Sequence, residues 1–201
     1  MNRRAICGLW VLPALSAVLP STGCSSHRLA MDYQIKVDRE FAVEHVKETE
    51  VFVSGEKFRL RVTTHHDGYL YILNRGTSGR YNVLYPRPEV RGASAFVPGW
   101  EHVIVPAHGA FQFVDQPGVE TLIVCSSRKE VPELERIVLG ELVDPDKIEQ
   151  WLHAVDAESR RGGKFKKVQH SHHTQVVLKS PKEDLVMVNT IRLEHQPSAS
   201  P

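Results

Sequence analysis

Between residues 58 and 63 the chain alternates strictly, with Phe58, Leu60 and Val62 apolar and Arg59, Arg61 and Thr63 polar. Period two puts successive side chains on opposite sides of a strand, so this stretch has one face in a core and its charges in water. Much of the downstream sequence is cut into similar short pieces. Asp67-Gly68 reads as a turn of hairpin type. The next segment, Tyr69-Leu70-Tyr71-Ile72-Leu73, is aromatic and aliphatic on both faces and reads as a central strand. Gly76 to Gly79 gives another turn, and 81–85 the next strand. Pro86 and Pro88 stop that strand, because proline cannot continue a central ladder. After a loop over 86–101, three short strands occupy 102–105, 110–114 and 119–125, separated by Pro106, Gly109, Pro117 and Gly118. Strands at this spacing predict an all-β fold, mainly an antiparallel β-sandwich, with a barrel as the other closed form.

One helix stands out within this β pattern. Asp144 can cap it and Pro145 suits its first position. Ile148, Trp151, Leu152 and Val155 fall at i, i+3, i+4 and i+7. Arg160-Arg161 complements the helix dipole and Gly162-Gly163 ends the helix, giving 144–161. Trp151, in the middle of the stripe, is expected to be buried against the β-core. A shorter helix is expected at 133–139. Two last strands, 173–179 and 185–193, are expected to pair as a terminal β-hairpin across 180–184.

The N-terminus is read as an address. Arg3 and Arg4 precede an uncharged run over 5–23 that ends in small residues at Ser21-Thr22-Gly23. That order is the charged, apolar and cleavage-site layout of a secretory signal. An uncleaved membrane helix competes, but Pro13 and Pro20 interrupt the run, which barely reaches the ~20 residues a span needs. Thr22-Gly23-Cys24 resembles the end of a bacterial lipobox, which implies lipidation of Cys24. Ser21 stands where that motif usually has Leu, and ordinary cleavage with a soluble product is the alternative. Ser25 after the cysteine resembles the outer-membrane sorting preference. The expected organisation is therefore a signal peptide at 1–23, then a lipid-anchored tether with a possible first strand at 24–50. A β-sandwich domain at 51–195 and a disordered tail at 196–201 complete it.

Composition removes some partners. The leader holds two of the 25 basic residues and none of the 24 acidic ones, so the remainder carries a net charge of −1. A near-neutral chain gives no electrostatic footprint for nucleic acid, and no basic patch large enough to suggest anionic lipid. Of three cysteines, Cys7 lies in the leader and Cys24 at the lipid site. Cys125 comes directly after Leu122-Ile123-Val124 and reads as a small buried hydrophobe.

A resemblance runs through the strands just described. Asp67-Gly68-Tyr69-Leu70-Tyr71-Ile72-Leu73-Asn74 and Val83-Leu84-Tyr85-Pro86 resemble motifs of a bacterial module, domain of unknown function 4384. Phe58 to Val62, Val105-Pro106 before Phe111 and Phe113, and Gly118-Val119-Glu120 before an apolar strand extend the likeness over 58–128. The resemblance implies a β-rich module of exported or multidomain bacterial proteins. It transfers no catalytic residue.

No nucleophile elbow, phosphate-binding loop or His-Glu-x-x-His pattern occurs, so no catalytic residue and no cofactor is expected. Gly76-Thr77-Ser78-Gly79 reads as a turn. Two binding constellations are expected. On a strand, His170 and His172 would share a face about 6.6 Å apart, close enough for one metal, with His173 adjacent and His195 able to join. His65-His66 is a weaker pair. Tyr69, Tyr71, Tyr81, Tyr85 and Trp100 could form an aromatic face for sugars or peptides, although aromatics also favour strands for packing alone. The functional expectation is a non-catalytic binding or scaffolding lipoprotein of the outer membrane, facing the periplasm. Its partner would be an envelope protein or glycan rather than nucleic acid. The alternative is a periplasmic metal-binding protein using the histidine cluster.

Overall fold

The computed structural model describes residues 27–39, 42–87, 94–113 and 116–197. The expected signal peptide and Cys24 lie outside these residues. Among the described residues, thirteen strands form two sheets. Sheet A contains β1 (His27–Arg39), β2 (Ala42–Val46), β4 (Lys57–Thr64), β8 (His102–Val105), β9 (Phe111–Gln112), β11 (Lys164–Gln169) and β12 (Thr174–Ser180). Its order is β11-β12-β1-β4-β8, with β2 also on β1 and β9 on β4. Sheet B contains β3 (Val51–Val53), β5 (Gly68–Arg75), β6 (Tyr81–Tyr85), β7 (Phe96–Val97), β10 (Gly118–Ser127) and β13 (Val186–Gln196). Its order is β3-β13-β10-β5-β6, with β7 on β5. The β3 and β13 pair is parallel and every other pair is antiparallel. Helices α1 (Pro132–Val138) and α2 (Pro145–Arg160) complete the described fold.

The sandwich expected from the sequence is present, and strand composition explains its layering. Strands of sheet A alternate, so Leu60 and Val62 reach the core while Arg59 and Arg61 face out. Strands β5 and β10 are apolar on both faces and must be covered twice. Leu70, Ile72, Leu122 and Val124 meet sheet A in one core. Tyr71, Leu73, Ile123 and Cys125 meet Leu134 and Ile137 of α1 and Ile148 and Leu152 of α2 in a second. Two helices therefore roof sheet B. The carboxylate of Asp144 caps α2, accepting from the backbone N–H of Asp146 at 3.1 Å and of Lys147 at 3.4 Å. Trp151 differs from expectation: it is half-buried at the margin of the second core, and Ile148 and Leu152 carry the stripe.

Strand pairing corrects three readings. The expected terminal hairpin of 173–179 and 185–193 does not form, because β12 pairs with β1 and β11 while β13 pairs with β10 and β3. The hairpin is instead β11 with β12, and the chain crosses between sheets after Ser180. Asp67-Gly68 likewise marks a crossover from β4 to β5. Its residues serve tertiary contacts: the Asp67 carboxylate accepts from the Gly99 N–H at 2.7 Å, and Gly68 sits where a Cβ would come within 2.1 Å of the Ser127 carbonyl oxygen. Finally, the segment expected as a tether with one possible strand holds two strands. β1 joins sheet A from its first residue, His27 opposite Ser180, and is interior from Met31, where β4 pairs on its other side. At the other end β13 runs through Gln196, and 198–201 lie outside the described residues.

Candidate ligand-binding site

On the helix-facing side of sheet B, the register sets four side chains in one row. Tyr81 pairs with Arg75, Arg75 with Thr121, and Thr121 with Arg192. Strands are ~4.8 Å apart, so the two arginine backbones flank Thr121 and lie about 10 Å from each other. α2 stops short of covering this row. The gap is a cleft of about 700 Å³, with Ile123, Val188 and Thr190 beneath and Glu149, Leu152, His153 and Asp156 along the helix side. Its far rim is the Gly76 to Gly79 turn. Gly118 lets that turn approach closely, since a Cβ there would lie 2.9 Å from Thr77 Cγ2.

The two guanidiniums are not equivalent. Arg75 makes a two-point contact with Glu149, Nη1 to Oε1 at 3.3 Å and Nη2 to Oε2 at 3.2 Å, and lies 5.9 Å from the Tyr81 ring centroid. His153 Nε2 stands 3.8 Å from the same Glu149 carboxylate. Asp156 is engaged by Arg160 at 2.8 Å. Arg192 is exposed and has no ion-pair partner among the described residues. Burial raises the Tyr81 phenol above its ordinary value, with Arg75 opposing and Glu149 adding to the rise. The arrangement offers an uncommitted guanidinium, a neighbouring hydroxyl and an aromatic wall. That is equipment for holding a carboxylate or phosphate in place.

The aromatic face expected from the sequence is divided. Tyr69, Tyr71 and Tyr81 share the helix-facing side of sheet B. Tyr71 is fully buried and donates to Glu135 Oε1 at 2.6 Å, fastening α1. Tyr85 points into the sandwich core instead, because the ladder shifts register between Ile72 and Leu73 and turns the strand end over. Trp100 stands on sheet A's side, stacked on His65 with ring centroids 4.1 Å apart.

The histidine cluster is also rearranged. Residues 170–173 are the turn of the β11 and β12 hairpin, closed by the His170 N–H donating to the His173 carbonyl at 2.8 Å. His170 and His172 therefore do not share a strand face. His170 stacks on His173 at 4.5 Å, while His172 meets His45 at 5.9 Å. His195 is in sheet B, stacked on Phe113. Cys125 is buried as expected, and burial pushes its thiol up to about 12, with Asp156 adding to the rise.

One contact had no sequence signal. His66 Nε2 lies 3.2 Å from Ser126 Oγ at the end of the sandwich. Ser126 is fully buried, so the pair has no access for a substrate and serves as packing.

Residues 51–130 match the family described as a domain of unknown function (DUF4384), which bears out the resemblance seen in the motifs. No curated protein and no solved structure matches. The matched segment supplies Arg75, Tyr81 and Thr121 to the cleft. Arg192 and Glu149 come from beyond it, as do the interior strands β1 and β13.

Proposed function

We propose that this chain is an exported lipoprotein, anchored at Cys24 to the outer membrane on its periplasmic side. In this reading it acts as a non-catalytic binding module for an anionic ligand. The observation that carries the binding role is the row of Tyr81, Arg75, Thr121 and Arg192 along an open cleft. Arg75 is already neutralised by Glu149, which leaves Arg192 as the charge that a ligand would meet. The cleft suits an acidic glycan unit or a peptide ending in a free carboxylate, with Tyr81 as the flat wall.

Calorimetry with inorganic phosphate, free-carboxylate peptides and uronic-acid oligosaccharides tests this. One class is expected to bind, and Arg192→Ala to weaken it by about ten- to a hundred-fold, the range of a charge-assisted hydrogen bond. Binding that survives Arg192→Ala and Thr121→Val would remove the cleft from consideration.

The anchor has its own test. Cys24→Ala is expected to abolish labelling by radioactive palmitate and to move the protein out of the lipid-modified membrane fraction. A wild-type chain that takes no label would overturn the lipoprotein reading.

A further inference from the structure

The near-neutral net charge conceals a segregated surface. Side chains at even positions of β1 and odd positions of β4 point away from the sandwich. On that outer face of sheet A, Lys164, Lys179 and Arg28 lie side by side across β11, β12 and β1. Further along, Lys36 lies beside Arg59. Arg61 lies beside Ile104. Like charges directly opposed on neighbouring strands destabilise a sheet, so the fold alone gains nothing from these rows. None of these six cations is in an ion pair among the described residues. Of the β1 carboxylates on this face, Asp32 is occupied by His65 at 2.9 Å and Gln175 at 3.3 Å, and Asp38 lies opposite a further cation, Lys57. The opposite layer has the opposite sign, since residues 130–161 hold nine Asp and Glu against four Lys and Arg.

Two further features belong to the same face. Trp100 is 66% exposed although stacked on His65, and Ile104 is 44% exposed. Cations interspersed with an exposed tryptophan and an aliphatic side chain are the composition of a membrane–water interface. The chain also enters the fold at one end of this face. His27 opens β1 only three residues after Cys24, a reach of about 11 Å at full extension. A domain held that closely has its near surface within about one Debye length of the headgroups.

We propose that the outer face of sheet A lies on a bilayer surface carrying anionic phospholipid headgroups, with Arg28, Lys164 and Lys179 nearest the anchor and Trp100 and Ile104 at the interface. Burial, then Lys36, His172 and Arg61, hold His45 on this face below the ordinary histidine value, as a positive surface potential would. The orientation turns the cleft on sheet B away from the membrane, towards soluble or cell-wall ligands. It rests on the anchor at Cys24 for delivery to the membrane.

The test uses the full-length protein reconstituted into vesicles of phosphatidylcholine, alone or mixed with phosphatidylglycerol. A water-soluble amine reagent is applied and modification is followed by mass spectrometry. In the anionic vesicles Lys36, Lys164 and Lys179 are expected to react about ten-fold more slowly than in neutral ones, an effect erased by high salt. Lys147 on α2 is expected to react equally in both. Equal rates for the sheet A lysines, or protection of Lys147 in their place, would overturn the proposal. So would protection by soluble polyphosphate without protection by phosphatidylglycerol, which would assign the face to a soluble polyanion. A chain that fails to float with neutral vesicles refutes the anchor, whereas one that floats with unprotected lysines refutes only the membrane face.

Discussion

Replacing Gly68 with alanine is expected to destabilise the protein by about 3 kcal/mol, the upper end of the usual cost of overpacking a well-filled interior. The added Cβ would sit 2.1 Å from the Ser127 carbonyl oxygen and 3.2 Å from His66 Cδ2. The carbonyl belongs to β10, an interior strand of sheet B held by β13 on one side and β5 on the other. It cannot withdraw without loosening that ladder. Gly76→Ala is the control. Its Cβ would meet nothing nearer than the Glu120 carboxylate at 3.6 Å, so a change within about 0.5 kcal/mol is expected. Urea denaturation of both variants checks the pair. A loss below about 1 kcal/mol for Gly68→Ala would show that β5 and β10 can separate freely.

The same residue shows which parts of this fold are visible in sequence. Strand positions are local facts. Phe58, Leu60 and Val62 alternate with polar residues, and Leu122 to Val124 do not, so even the choice of singly and doubly covered sheets is written in the periodicity. Strand partners are not local. β4 to β5 and β12 to β13 are joined by connections short enough for hairpins, yet each crosses from one sheet to the other. The decision is made by which apolar faces must meet across the sandwich, a property of all strands together. The tyrosines failed as a single face for a related reason. One register shift in β6 was enough to send Tyr85 into the core while Tyr81 stayed on the helix side.

The cleft was hidden by distance. Arg75 and Arg192 are brought together only because β10 lies between their strands. A weak signal did exist, since Arg75 is in phase with Tyr71 and Leu73, and Arg192 with Val188. A charge in step with a buried face marks where the cover ends. The basic face escaped because net charge averages over the surface, and the cations of sheet A are offset by the carboxylates of residues 130–161.

Acidification from pH 6.5 to 4 is expected to remove about 3 kcal/mol of stability through His66 alone. The ring is 7% exposed at the end of the sandwich. Burial, then the positive charge of Arg128, lowers its pKa to about 4. Its Nδ1 is buried with no well-formed hydrogen bond among the described residues, and the nearby Ala30 carbonyl, which favours the protonated ring, only partly offsets burial. The unfolded chain takes up a proton near the ordinary value of about 6.5 and the folded chain only near 4. The unfolded state therefore binds more protons across this interval, and stability falls as pH falls. Above 6.5 both states are neutral and the contribution is fully present. It is lost progressively below that value and changes no further once pH drops under 4. His66→Gln keeps a polar atom to face Ser126 Oγ and removes the titration. Urea midpoints measured every half pH unit are expected to give a wild-type curve that falls more steeply than the variant's between 6.5 and 4. Parallel curves would mean that His66 is protonated in the folded protein without penalty, which requires water or the Ala30 carbonyl to accept from the ring.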